Sequence, residues 1–435
     1  MRLEDWLHRV EGLHSAAVEL GLERVRPVAS RLLGGRSLAR RVITVAGTNG
    51  KGTTCATLEA LGIAHGLRVG CYTSPHILRF NERIRCHGQP VEDGELCEAF
   101  DRVDACRAGV PLTWFEFTTL VAFAVFSRAA LDLAILEVGL GGRLDAVNVV
   151  DPDVAVITAI GLDHQDWLGN DRDSIGREKA GILRASIPPV IGEADPPRSV
   201  LDAATILGCA VHRYGTDFGA ATEDGLPSRW RWWGADRQGR QGSHPILHRN
   251  HFPLANQAAA VQAFELSGYQ IHTPMVRAAL SAVVVSGRMQ QVGTAPEIYL
   301  DVAHNPHAAA WLADLIARDR EETGRCWLAV FSALADKDIR GIVEALSTQM
   351  LEWHYWPLQT PRAATREQLA AALQGVAAWP HAGYAAALSA TLTRARQLAT
   401  EGKDSVILVF GSFYVVEAAL RAAAELGNQD NQDNR

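Results

Sequence analysis

Paired cysteines are missing from this sequence. The seven it has (Cys55, Cys71, Cys86, Cys97, Cys106, Cys209 and Cys326) are odd in number and never spaced C-x-x-C. That argues against a disulfide framework and against a thiolate zinc site, and fits reduced thiols buried in a cytosolic enzyme. Long apolar runs are missing too, since none approaches the ~20 residues that cross a bilayer. The opening MRLEDWLHRVEGLHS contains acids and no continuous apolar core, so it does not read as a secretory signal. A basic excess is also absent. Lys and Arg number 42 against 49 Asp and Glu, a formal net charge of -7 that offers no field to gather nucleic acid. The expectation is a cytoplasmic protein, monomeric by default, with small-molecule partners, no nucleic acid and no membrane.

What is present is the balance of a globular chain, 48% apolar and 21% charged. At 435 residues it exceeds one ordinary core, so two domains are expected. Leu3, Trp6, Leu7, Val10 and Leu13 recur at helical spacing. From about residue 41 the runs RVITVAG, LRVGCYT, LDLAILEVG, DVAVITAIG and PPVIGE are near-continuous apolar and β-branched, as strands buried on both faces are. Amphipathic stretches separate most of them, which predicts a largely parallel α/β sheet. Residues 215–250, with SRWRWWGADRQGR, break the rhythm and predict an antiparallel hairpin closing the first domain. A second α/β series follows in EIYLDVAHNP, CWLAVFSAL, EWHYWPL and SVILVFGS. Domains are therefore expected at 1–286 and 287–428, with the polar tail 429–435 frayed.

The stretch TVAGTNGKGTTC departs from the P-loop spacing G-x-x-x-x-G-K-[ST], because Val45 stands where the first glycine belongs. The physics of the motif survives. A glycine-rich turn joins a strand end to a helix start, where free N–H groups and the positive end of the helix dipole converge on an anion. Gly47, Gly50 and Gly52 allow close backbone approach, Lys51 can bridge phosphate charges, and the Thr53 or Thr54 hydroxyl can reach magnesium. Further along, Ser74, Glu137 and the pair Asp163–His164 each follow an apolar run. Strand ends should bring them to one rim near the loop, where ligands of open α/β sheets bind. A carboxylate placed like Glu137 is costly to bury unless it meets a cation.

GTNGKGT is similar to the ATP loop of the Mur ligase superfamily. SPHILRFNERI, TWFEFTTL, LEVGLGGRLDAVN, GLDHQDWLG, IGREKAGI, Gly287-Arg288, LDVAHNPHA and VFGSF resemble, in this order from about residue 18 to 420, its folate branch of dihydrofolate synthases/folylpolyglutamate synthases. The resemblance implies a P-loop mononucleotide-binding domain, mostly parallel with a small antiparallel portion, and a C-terminal Rossmann-like α/β domain. It implies ATP contacts at Gly47, Thr48, Asn49, Gly50, Lys51, Gly52, Thr53, Asn256, Arg288 and Asp301. Mg²⁺, one or two ions, would be held by Ser74, Glu137 and His164, although chemistry alone ranks Asp163 equally with the softer imidazole. In similar enzymes the lysine matching Lys179 is carboxylated, which would add an N6-carboxylysine ligand and requires a depressed pKa. Lys51, Lys179, His164 and Glu137 would form the catalytic set.

The same resemblance assigns a pterin and folate pocket to Gly21, Leu22, Glu23, Thr113, Phe115, Glu116, Leu144, Asp145 and Ala146. Phe115 would stack on the flat ring, and Glu116 or Asp145 would accept from pterin amino groups. His304, Asn305 and His307 would line the glutamate cleft. The reaction implied is ATP-dependent addition of L-glutamate to dihydropteroate and to reduced folates through an acyl phosphate. No nucleophilic serine or cysteine is needed, consistent with the lack of a G-x-S-x-G. The alternatives are a monofunctional folylpolyglutamate synthase, a ligase acting on UDP-muramyl peptides, and a nucleotide-dependent switch. The second would ordinarily place a ~100-residue domain ahead of the loop, and the third would show no glutamate-dependent turnover.

Overall fold

The computed structural model describes residues 1–14, 19–223, 226–248 and 250–433. It divides into two compact units, Met1–Val283 and Val284–Arg435, just ahead of the break expected at 286/287. In the first unit the apolar runs form β1 (Ala39–Ala46), β2 (Val69–Tyr72), β3 (Ile84–Cys86), β4 (Gln89–Pro90), β5 (Leu131–Glu137), β6 (Val154–Ile157), β7 (Pro189–Ile191) and β8 (His212–Arg213). They make one eight-stranded sheet in the order β4-β3-β2-β5-β1-β6-β7-β8, parallel except at β3 and β4.

Both faces of this sheet are covered at its centre, which is why β1, β2, β5, β6 and β7 are apolar through most of their length. Ile43, Val45, Val69 and Leu133 face the loop helix Lys51–Ala64 and helices Leu254–Leu266 and Thr273–Ala282. Val42, Tyr72, Ala134 and Leu136 point the other way, as the two-residue period of a strand requires. There they meet helices Leu3–Glu11, Val25–Leu33, Asp93–Arg107 and Trp114–Phe126. The opening helix buries Leu3, Trp6 and Val10, and Trp6 stacks on Phe100 with ring centroids 5.6 Å apart.

The aromatic–basic segment is core and scaffold. β9 (Gly219–Glu223), β10 (Leu226–Ala235) and β11 (Gln241–His248) form a separate antiparallel sheet. Trp230 and Trp232 are fully buried in the cluster with Phe218 and Phe264, while Arg231 between them is exposed. Residues 224–225 and 249 of that segment lie outside the described residues.

The second unit holds a six-stranded sheet in the order β12-β13-β17-β14-β15-β16, built from β12 (Gln290–Thr294), β13 (Glu297–Asp301), β14 (Cys326–Phe331), β15 (Met350–Tyr355), β16 (Ala378–Pro380) and β17 (Ser405–Phe410). Only the β12–β13 pairing is antiparallel. The last helix, Phe413–Asp433, continues through most of the tail expected to fray, because extending an established helix adds a hydrogen bond for each residue fixed. Among the described residues no helix is long and apolar enough to cross a membrane.

Register decides where the site can be. Val45 of β1 sits opposite Glu137 of β5, Ala46 opposite Ile157 of β6, and Tyr72 of β2 opposite Leu136. The carboxyl ends of four strands are therefore level. From β1 the chain goes outward to β2, returns to β5, then crosses to β6 on the other side, so the connection after β1 lies at the point where strand order reverses.

A largely buried ion pair ties the loop helix to β3, next to the edge strand: Arg85 Nη2 lies 2.7 Å from Glu59 Oε2. Glu59 is buried, and Arg85 is further held by a contact with the Cys71 sulfur. Arg85→Met is expected to destabilise the first unit by about 3–5 kcal/mol, and adding Glu59→Met should recover most of that loss, both read by urea denaturation.

Candidate functional site

The glycine turn sits on the loop after β6 without a gap. Gly47 has φ +152°, and a Cβ there would lie 1.7 Å from the Thr158 hydroxyl. Gly50 has φ +93°, and its Cβ would fall 2.5 Å from the Asn256 side chain. Both are left-handed conformations that side chains rarely adopt, and both lack room for one. The Thr158 hydroxyl bonds the Asn49 and Ala46 carbonyls, at 2.8 and 3.2 Å. Thr48 N–H donates to the Ala159 carbonyl at 2.8 Å, and its hydroxyl to Gly161 O at 3.0 Å. Lys51 Nζ lies over its own loop, 3.0 Å from Gly47 O and 3.3 Å from Thr48 O. The helix from Lys51, capped by Gly50, points its positive end at this turn. Gly52 and Thr53 lie in its first turn, while the Thr54 hydroxyl faces the Asn256 carbonyl at 3.5 Å.

Beside the turn stands Glu137, buried, with Oε2 accepting from Ser74 N–H at 3.1 Å. His164 opens a short helix, Gln165–Leu168, with φ +52°, a strained value for a non-glycine residue. Its N–H is held by Asp163 at 2.9 Å, and the ring is exposed at the rim. Arg172 fixes this loop from below, donating to the Ile160 carbonyl at 2.9 Å and pairing with Glu193 at 2.8 Å. Burial raises the Glu193 carboxyl to about 7 despite that pair. Lys179 ends helix Arg172–Lys179 almost fully buried. Burial first, and the Lys51 charge second, push its pKa down to about 7 against the pull of Asp163 and Asp145.

Three segments assigned to the acceptor also converge. Glu116 Oε2 accepts from Thr113 N–H at 2.8 Å, and Arg24 reaches Glu116 Oε1 at 2.9 Å, joining the Gly21–Leu22–Glu23 turn to the helix start. Phe115 packs on Gly139, where a Cβ would meet its ring at 2.4 Å, and lies 6.3 Å from the Tyr72 ring. Asp145, between Leu144 and Ala146, gives its carboxylate to the N–H groups of Gly139 (3.1 Å), Leu140 (2.9 Å) and Val147 (3.0 Å). Its pKa is raised by burial to about 6 even so. In this structure Asp145 shapes the loop, and Glu116 caps a helix. Arg24 and Thr158 escaped the sequence reading, since a lone arginine after a glutamate and a threonine after an apolar run have no local signature.

In the second unit Asp301 ends β13 level with Phe410 of β17. Its buried carboxylate accepts from Met289 N–H at 2.9 Å and Ala303 N–H at 2.8 Å. Burial raises its pKa while the Arg288 charge opposes that shift. Arg288 lies 5.9 Å from the Phe413 ring centre, and His304 6.1 Å from the same ring. Asn305 caps helix Pro306–Thr323 through Ala308 N–H at 2.9 Å, a structural duty, and His307 is exposed on its first turn.

A fitted glycine turn on a helix start, a buried carboxylate next to it, and a second α/β unit define a nucleotide-dependent enzyme of the Mur ligase type. Residues 287–413 match the Mur ligase, glutamate ligase domain. The chain is 42% identical over 414 residues to the dihydrofolate synthase/folylpolyglutamate synthase of Escherichia coli (strain K12), covering 95% of this chain and 94% of that protein. The structure of E. coli FolC in complex with DHPP and ADP superposes with a TM-score of 0.89 at 41% identity, over 98% of both chains. A bifunctional folylpolyglutamate synthase/dihydrofolate synthase with Mn, AMPPNP and L-glutamate bound gives 0.84 at 43% identity, over 97% of this chain and 98% of that one. This chain belongs to the dihydrofolate synthase/folylpolyglutamate synthase family.

The fit at Gly50 gives a direct check. Gly50→Ala must place a methyl group against Asn256 in a left-handed backbone, a strain of ~1–3 kcal/mol before any clash. Affinity for ADP, measured by calorimetry, should fall at least about tenfold.

Proposed function

We propose that this protein is an ATP-dependent ligase that adds L-glutamate to dihydropteroate and to reduced folates. The observation that carries the reading is the level rim on which the loop glycines, Lys51 and Glu137 meet beside Lys179. A carboxylate does not condense with an amine in water, because oxide is a hopeless leaving group. An acceptor carboxylate oxygen therefore attacks the γ-phosphorus of ATP, the bond to the bridging oxygen breaks, and ADP leaves. The glutamate amine then attacks the acyl carbon, the carbon–oxygen bond to phosphate breaks, and the amine loses its proton to solvent. Lys51, free to turn from its loop carbonyls to phosphate oxygens, offsets charge on the transferring group. Holding the reactants aligned can contribute roughly 7–11 kcal/mol of the barrier reduction.

A divalent ion fits this rim in part. Among the described residues no three His, Cys, Asp or Glu side chains gather closely enough to hold one alone. Magnesium, however, keeps waters and takes only one or two carboxylates besides nucleotide phosphates. Glu137, with Ser74 beside it, supplies the hard oxygen donors for that arrangement, and we assign His164 to the same ion. Bound there, the ion would supply positive charge to the phosphate oxygens. Asn256, Arg288 and Asp301 are assigned to ATP, and the converged segments around Phe115 to the pterin.

Lys179 is assigned as an N6-carboxylysine. Only the neutral amine can attack CO₂, and a pKa near 7 makes it available at physiological pH, where an ordinary lysine would be a cation. The sign follows: below about pH 7 the ammonium form blocks the modification, and above it carbamate accumulates. Activity in CO₂-depleted buffer is therefore expected to be low and to recover with added bicarbonate, more fully at pH 8 than at pH 6. Lys179→Ala should abolish that response.

Lys51→Ala is expected to reduce glutamate-dependent ADP release by about 10²–10³-fold. The substrate range is tested by supplying Mg-ATP and glutamate with either dihydropteroate or tetrahydrofolate. Turnover with both is expected, and turnover with the folate alone would make the protein a monofunctional folylpolyglutamate synthase.

A further inference from the structure

Three arginines follow one another along the segment that leads into β3, and they are treated differently. Arg79 pairs with Asp93 at 3.1 Å and Arg85 with Glu59 at 2.7 Å. Arg83, between them, is only 7% exposed, yet among the described residues it forms no ion pair. The neighbouring Glu82 is turned to the backbone instead, its oxygens accepting from the N–H groups of Ile77 (2.7 Å), Leu78 (2.9 Å) and Arg79 (2.8 Å). Arg83 Nε donates to His76 Nδ1 at 2.7 Å, and its guanidinium carbon lies 4.6 Å from the centre of the Trp114 ring. Burial pulls its pKa below the ordinary arginine value, with Tyr72, Glu137 and Glu82 opposing. An arginine cannot escape by losing its proton, so this is a charge kept out of water without a bonded anion. Such a charge is expensive unless a partner arrives.

Its location says what arrives. The Arg83 carbonyl accepts Thr73 N–H at 2.9 Å, placing the residue one step from Ser74 and hence beside Glu137. On the other side, Trp114 directly precedes Phe115, whose ring packs near Tyr72. Arg83 thus stands where the flat-ring pocket meets the phosphoryl-transfer rim. The acceptor proposed above has a flat ring at one end and an acid at the other. We propose that Arg83 is the positioning residue that receives the carboxylate of dihydropteroate. The guanidinium engages that acid through its planar fork, which matches carboxylate geometry, while Trp114 and His76 fix the plane of the fork. One acid oxygen stays directed at the γ-phosphorus.

The inference rests on the functional reading above, and the test separates the two. Binding of dihydropteroate and of its carboxamide analogue is measured by calorimetry on the full chain with ADP. The wild type is expected to favour the carboxylate by about 30-fold or more, as for a desolvated charge pair. Arg83→Met should reduce that preference to about threefold or less, with the carboxamide and ADP affinities little changed. A structural role would weaken both ligands equally. Arg83→Lys, which keeps the charge and loses the fork, should retain an intermediate preference and partly restore the KM for dihydropteroate. A folded Arg83→Met with the full preference overturns the inference, as does Arg83→Lys with an unaltered one should the methionine variant not fold. A wild-type protein that binds neither ligand overturns the functional reading instead.

Discussion

The contact between Gly47 and Thr158 is the constraint from which the site is built. The end of β1 and the end of β6 approach so closely that the Thr158 hydroxyl occupies the place of a Cβ at residue 47. Because that hydroxyl also bonds the carbonyls on either side of the turn, the loop is clamped to the neighbouring strand before any ligand arrives. A preformed loop of this kind spends little conformational entropy on binding, since the Thr48 and Asn49 N–H groups are already tied to the Ala159 carbonyl and fix the turn. The same clamp sets the position of the loop after β6, and through it the strained His164.

This explains what could be read from the sequence. Glycines at positive φ are forced by local geometry, so the turn was visible even with Val45 in place of the usual first glycine. Parallel strands buried on both faces leave long apolar runs, so β1, β5, β6, β14 and β17 were visible for the same reason. The antiparallel strands around Trp230 were legible only as an interruption. Their side chains alternate between core and solvent, and Trp232 and Arg231 are adjacent in sequence on opposite faces.

The rest was hidden because its cause is tertiary. Asp145 holds three backbone N–H groups and Asn305 caps a helix, and a one-dimensional pattern cannot show these duties beside the ligand roles assigned to them. Thr158 and Arg24 have the opposite problem: each is unremarkable in sequence and acts only through a partner far along the chain. Within SPHILRFNERI nothing local sets Arg83 apart. Its difference from Arg79 and Arg85 is entirely a matter of which carboxylates the fold brings near.

Charge burial at the rim follows one logic. Lys179, Glu137 and Arg83 are each held out of water within a short reach of the glycine turn, although an isolated ion of any kind is costly there. A fold selected for stability alone would replace such groups with apolar ones, which is often neutral or favourable. Here the cost falls on groups whose preferred state is set by what they meet: burial favours the neutral amine of Lys179, and a dry carboxylate favours a cation. Each desolvated group also interacts more strongly with its ligand than it would in water, because the surrounding dielectric is low. The instability stored at the rim and the affinity available there are therefore the same electrostatic term, taken before and after the ligands bind.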